Sequence, residues 1–164
     1  MQLFFLRHGI AEDRHSTGSD AERPLTEAGR QQLAVVARAM QRLAIRPTSV
    51  YASPLVRTQQ TAEIVVAVLG GTLMLTPELA PGCTFDQLQP LLRQASDDQM
   101  LLVGHAPDMG SLVAALIGAG GRAIRVAKAG LAGVEYDGRP RQGSATLRYL
   151  LTPQQLEWIG SATK

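Results

Sequence analysis

Short apolar strands alternating with amphipathic helices predict an α/β fold, a three-layer α/β/α sandwich around a mostly parallel central sheet. Three observations carry that expectation. Segments 3–6 (LFFL) and 100–104 (MLLVG) are apolar throughout, as strands covered on both faces must be. Between the strand candidates, apolar residues recur at spacings of three and four, the signature of a helix with one buried face. At 164 residues and 45% hydrophobic content, the chain can bury a sizeable core as one domain spanning residues 1–164.

Taken in order, the first strand runs into Arg7-His8-Gly9, and a polar loop containing Glu12, Asp13 and His15 follows. Thr26 is the expected N-cap of a helix whose apolar face carries Leu33, Val36, Ala37, Met40, Leu43 and Ala44. "SVYA" (49–52) reads as a strand. Ser53-Pro54 then offers a cap and a first-turn proline for a helix ending near Leu69, before Gly70-Gly71. "TLMLT" (72–76) is another strand. "TFDQLQPLLRQA" is helical, with Pro90 inside predicting a kink or two short pieces. His105-Ala106-Pro107 follows strand 100–104 and opens a helix bearing Met109, Leu112, Val113, Leu116 and Ile117 on one side. Strands are expected at about 130–136 and 145–151, and Thr152-Pro153-Gln154-Gln155 has capping-box form for a last short helix. Trp158 is assigned to packing.

Composition narrows the function classes. Sixteen basic and fourteen acidic residues leave a formal net charge of +2, too balanced to imply nucleic acid or a membrane surface as partner. Mean hydropathy is near zero. The single cysteine, Cys83, excludes an intrachain disulfide. No apolar stretch approaches the roughly 20 residues of a membrane helix, and the N-terminal run is too short for a signal-peptide core, so a cytoplasmic protein is the expectation. Nothing demands more than a monomer.

In open sheets of this kind, ligands bind beyond the carboxyl ends of the strands. That rule places Arg7-His8-Gly9, Ser53-Pro54 and Gly104-His105 on one rim. Singly, each residue has a plain structural role available: a strand-end histidine, a surface arginine, a cap. Together they make an anion site. Arg7 and Arg57, the latter on the first turn of a helix, have forks matched to phosphate oxygens. Gly9 permits close backbone approach, and a helix N-terminus adds free N–H groups.

The stretches "LRHG" (6–9), "RPLTEAG" (23–29), "SPLVRTQQTAE" (53–63) and "VGHAP" (103–107) resemble the four signatures of the histidine phosphatase superfamily, also called phosphoglycerate mutase-like, in the family's order. Further segments, "TPELAPG" (76–82), "KAGLAGVEY" (128–136) and "LRYLLTPQQL" (147–156), are similar to its SixA-type phosphohistidine phosphatase branch. Only about thirty residues separate Leu69 from strand 100–104, too few for the helical lid subdomain of larger relatives.

The resemblance implies a metal-independent phosphatase that acts on a phosphohistidine-carrying protein domain. His8 would be the nucleophile, attacking phosphorus through one ring nitrogen while the other donates its proton to a backbone carbonyl near Gly9. Arg7, Arg57 and His105 would bind the phosphoryl oxygens, with a phosphate ion expected in the site. These cations supply the positive charge, so no metal and no other cofactor is called for. The general acid is open between Asp20 and Glu78, and either carboxylate could equally be structural. A leaving imidazole needs less acid help than an alkoxide, which favours P–N cleavage. Arg23 is read as loop-positioning, and Ser53 as a cap rather than a nucleophile. The alternatives are a phosphatase of small phosphate monoesters, a mutase, a non-catalytic phosphoprotein-binding module, and a metal hydrolase using His8, His15 and His105.

Overall fold

Six strands and five helices alternate along the chain in a computed structural model that describes residues 1–13, 18–94, 98–138 and 140–162. The strands are β1 (Gln2–Arg7), β2 (Ser49–Ala52), β3 (Thr72–Leu75), β4 (Gln99–Gly104), β5 (Leu131–Tyr136) and β6 (Ala145–Leu151). The helices are α1 (Glu27–Arg42), α2 (Val56–Leu69), α3 (Phe85–Gln94), α4 (Asp108–Ile117) and α5 (Pro153–Ser161). A 3-10 turn at Pro77–Leu79 follows β3. His15 lies outside the described residues.

The sheet order is β3-β2-β4-β1-β5-β6. Strands β1, β2, β3 and β4 pair in parallel, while β5 runs antiparallel to both β1 and β6. The mostly parallel sheet is therefore as expected, with one reversed strand. Pleating sends successive side chains to opposite faces. Phe4 and Leu6 of β1 enter a core with residues of α1, α2 and α5, whereas Leu3 and Phe5 enter a second core with α3 and α4. Both faces of the sheet are covered, which completes the three layers. Among the described residues, no helix is long and apolar enough to cross a membrane.

Local chemistry accounts for the helix boundaries. Thr26 caps α1, its hydroxyl accepting from the Gly29 amide at 3.0 Å. Thr152 and Gln155 form a reciprocal capping box on α5. Four expectations need correction. Helix α1 ends at Arg42, leaving Leu43 and Ala44 exposed; the chain turns at Ala44, with φ of 58°, so that Ile45 enters the core instead. Ser53 does not cap α2, whose N-cap is Leu55 with no side-chain hydrogen bond. Helix α3 runs unbroken through Pro90, because that proline is on the exposed side while Leu88 and Leu92 are anchored in the core. Trp158 does not pack: it is 66% exposed, since α5 buries Leu156 and Gly160 against α1 and turns residue 158 outward.

Candidate active site

The carboxyl ends of β1, β2 and β4 deliver the expected residues to one rim. Backbone bonds set their register: the His8 amide donates to the Gly104 carbonyl at 3.1 Å, and the Ser53 amide to Val103 at 3.1 Å. His8, Arg57 and His105 are buried there, and Arg7 is half-buried. The His8 and His105 rings stand 5.4 Å apart between centroids, tilted by 57°.

His8 Nδ1 donates to the Gly9 carbonyl at 2.8 Å, which fixes the tautomer with its proton on Nδ1 and leaves the Nε2 lone pair for chemistry. Burial pushes this imidazole down to about 3; the Gly9 bond works against that shift, and the charges of Arg57, His105 and Arg7 add to it. The ring is therefore neutral at physiological pH. Gly9 also has a packing role, since a Cβ there would sit 2.7 Å from Leu33 Cδ1. Its amide donates to Thr61 Oγ1 at 3.2 Å, and that hydroxyl donates to the Arg57 carbonyl at 2.7 Å. One threonine thus ties β1's exit to the start of α2.

Arg57 Nη2 donates to His105 Nδ1 at 3.4 Å, so the His105 proton belongs on Nε2, which donates to Ser53 Oγ at 2.9 Å. His105 is pushed down to about 4, by burial first and then by Arg57 and Arg7, with Asp20 opposing. Ser53 is the partner that sequence reasoning missed. Its hydroxyl orients the second imidazole from 52 residues away, and the Ser-Pro pattern pointed only to a cap.

Asp20 comes to the site as well. Its carboxylate meets Arg57 Nη2 at 3.0 Å and Arg23 Nη1 at 2.8 Å, and its carbonyl accepts from Arg57 Nη1 at 2.6 Å. Arg23 also donates to the Glu12 carbonyl at 2.5 Å, which is the loop-positioning part expected of it. Glu78 is not brought to this cluster. It is exposed beside Pro77 and Gly82, lining a pocket to which none of the four site residues contributes. A hydrogen bond from Thr76 Oγ1 holds its carboxyl below the usual range. Among the described residues, no three His, Cys, Asp or Glu side chains are grouped to hold a metal ion.

Two guanidinium nitrogens, Arg7 Nε and Arg57 Nε, are buried with no hydrogen-bond partner among the described residues. Arg7 Nη1 donates to the Val126 carbonyl at 3.3 Å, and burial together with the charge of Arg125 lowers the Arg7 guanidinium. Orphaned donors on buried cations are costly, and oxygens of an anion would satisfy them.

A neutral imidazole among two guanidiniums and a second imidazole, at the carboxyl rim of an α/β sheet, is an arrangement suited to a tetrahedral oxyanion. Comparison with known proteins agrees. Residues 3–81 match the histidine phosphatase superfamily (branch 1). An uncharacterised protein of Picosynechococcus is 36% identical over 153 residues, covering 90% of this chain and 89% of that one. The phosphohistidine phosphatase SixA of Escherichia coli is 33% identical over 122 residues, covering 71% and 74%. A structure of the protein histidine phosphatase SixA complexed with tungstate superposes with a TM-score of 0.81 at 29% identity, over 95% of this chain and 99% of that one. The chain belongs to the histidine phosphatase superfamily, in its SixA-type branch, and is a phosphatase.

Proposed function

We propose that this phosphatase removes the phosphoryl group from phosphohistidine on a protein, through a covalent intermediate on His8. The observation that carries the reading is the His8 Nδ1–H bond to Gly9, which leaves a neutral Nε2 beside Arg7, Arg57 and His105. In the first step Nε2 forms a bond to phosphorus as the P–N bond of the substrate breaks. The substrate imidazole, protonated on its other nitrogen, leaves neutral. In the second step water attacks phosphorus, the bond to Nε2 breaks, and inorganic phosphate departs. Arg7 and Arg57 hold the equatorial oxygens in both steps, and His105, held between Arg57 and Ser53, orients the Arg57 guanidinium.

The carboxylates support P–N cleavage over ester cleavage. Asp20 is engaged by two arginines, and the Glu78 carboxyl is held below the usual range. Neither is arranged to give a proton to an alkoxide. Among the described residues, the chain between α2 and β4 forms β3, a 3-10 turn and α3 and no lid domain, which supports a rim open to a protein surface. A comparison of a phosphohistidine protein with p-nitrophenyl phosphate and sugar phosphates tests the substrate class, with the phosphohistidine protein expected to be preferred. Radiolabelled phosphate should pass to His8 as an alkali-stable, acid-labile adduct. The His8→Ala variant should neither label nor turn over. Turnover by that variant would overturn the mechanism, and turnover that persists after exhaustive chelation would dispose of the metal-hydrolase reading.

A further inference from the structure

Between α4 and β5 the chain reads AGGRAIRVAKAG over residues 119–130, with Arg122, Arg125 and Lys128 and no acidic residue. All three cations are exposed. Because β5 runs against β1, this segment arrives at the same rim as His8 and is held there by the Ala129 amide, which donates to the Arg7 and His8 carbonyls at 3.1 Å. Two grooves open along it. One, of about 640 Å³, is lined by Ile10, Gln32, Arg125 and Lys128; the other, of about 390 Å³, by Pro107, Arg122 and Arg125; both also include Arg7. Among the described residues, no acidic one lines either groove. Among the described residues, none of the three cations forms an ion pair. The cluster is thus continuous with Arg7, whose guanidinium already feels the charge of Arg125.

We propose that Arg122, Arg125 and Lys128 form a docking strip for carboxylates flanking the phosphohistidine on the substrate protein. The inference rests on the proposed phosphohistidine activity and adds the substrate feature that the site selects. An acidic protein surface fits better than a second phosphate of a small ligand. The cations are exposed and spread along two open grooves, whereas a phosphate is held by converging, buried donors. Carboxylates at a rim act mainly on association rate and lose their effect in salt.

Two fluorescent phosphohistidine peptides, one flanked by Asp and Glu and the other by Ser and Gly, test the strip through anisotropy and phosphate release. The wild-type protein should bind the acidic peptide at least about tenfold more tightly at low ionic strength, and the preference should shrink as salt rises from about 0.02 M to about 0.3 M. In the Arg122→Glu/Lys128→Glu variant the preference should vanish or reverse while affinity for the neutral peptide stays within about twofold. Equal affinity for both peptides in wild type, or a preference untouched by the double substitution, would overturn the strip. If neither peptide releases phosphate, the proposed activity falls, and the binding preference still decides the strip. A matched unfolding midpoint for the variant shows that its fold is intact.

Discussion

The hydrogen bond from His8 Nδ1 to the Gly9 carbonyl leaves Nε2 as the nitrogen able to take phosphorus, so the enzyme adduct should be the Nε2 isomer, as heteronuclear magnetic resonance of the trapped protein would show. The same environment sets a pH dependence. His8 is held near 3 and His105 near 4, whereas a free imidazole titrates near 6.5. Both rings bind a proton more weakly folded than unfolded. The stability they confer is therefore complete above about pH 6.5 and is lost as pH falls towards about 4 and then about 3. Ring resonances of His8 and His105 should stay unshifted between pH 7 and 5; titration near 6.5 would contradict the burial assigned to them. Ser53→Ala should cost about 1–3 kcal/mol in urea unfolding, because it strands the buried Nε2–H of His105. The two guanidiniums and two imidazoles at the rim were legible in the sequence because each lies at a strand end or on the first turn of the helix that follows one, where topology alone gathers them. Ser53 and Asp20 were not legible in their actual parts. Local patterns offered a cap and a possible acid, whereas their partners, His105 and Arg57, lie 52 and 37 residues away.

Helix α5 seats on α1 through a glycine. A Cβ on Gly160 would come within 2.3 Å of the Val35 carbonyl oxygen. Replacing a mid-helix glycine with alanine ordinarily adds about 0.5–1 kcal/mol of stability. Here Gly160→Ala should instead lose about 1–3 kcal/mol, because backbone cannot yield as a flexible side chain does. Chemical denaturation of the single variant decides the sign. Gly29→Ala on α1 should behave alike, since its Cβ would meet the Ile10 carbonyl oxygen at 2.3 Å. The six strands and five α-helices of the described residues were each legible in the sequence, yet the 3-10 turn at Pro77–Leu79 was not, and helix ends and faces were less so. Leu43 and Trp158 look like core residues by type, yet Leu43 falls at the C-cap beyond α1 and Trp158 on the side of α5 away from the buried Leu156 and Gly160, so both are exposed. Pro90 looks like a break, and tertiary anchoring by Leu88 and Leu92 carries α3 through it.

At the scale of the molecule, two apolar layers share one sheet. Strand β1 gives Leu3 and Phe5 to one layer and Phe4 and Leu6 to the other, so neither can dissolve without disturbing its neighbour. Leu3→Ala and Leu6→Ala, on opposite faces, should each cost about 2–5 kcal/mol. Each should also lower a single transition seen alike by far- and near-ultraviolet dichroism. Two separate transitions would show that the layers unfold independently. The three-layer architecture followed from strands apolar on both faces, whereas strand order and the reversal of β5 depend on pairings that no local pattern encodes. That reversal has an evolutionary consequence. Most of the proposed reacting groups arrive on chain leaving the parallel strands, but Arg122, Arg125 and Lys128 arrive on chain entering a strand that runs the other way. On the proposed reading, recognition and chemistry are written in different stretches of sequence, so a dozen residues could be rewritten to suit another client while His8 stays untouched.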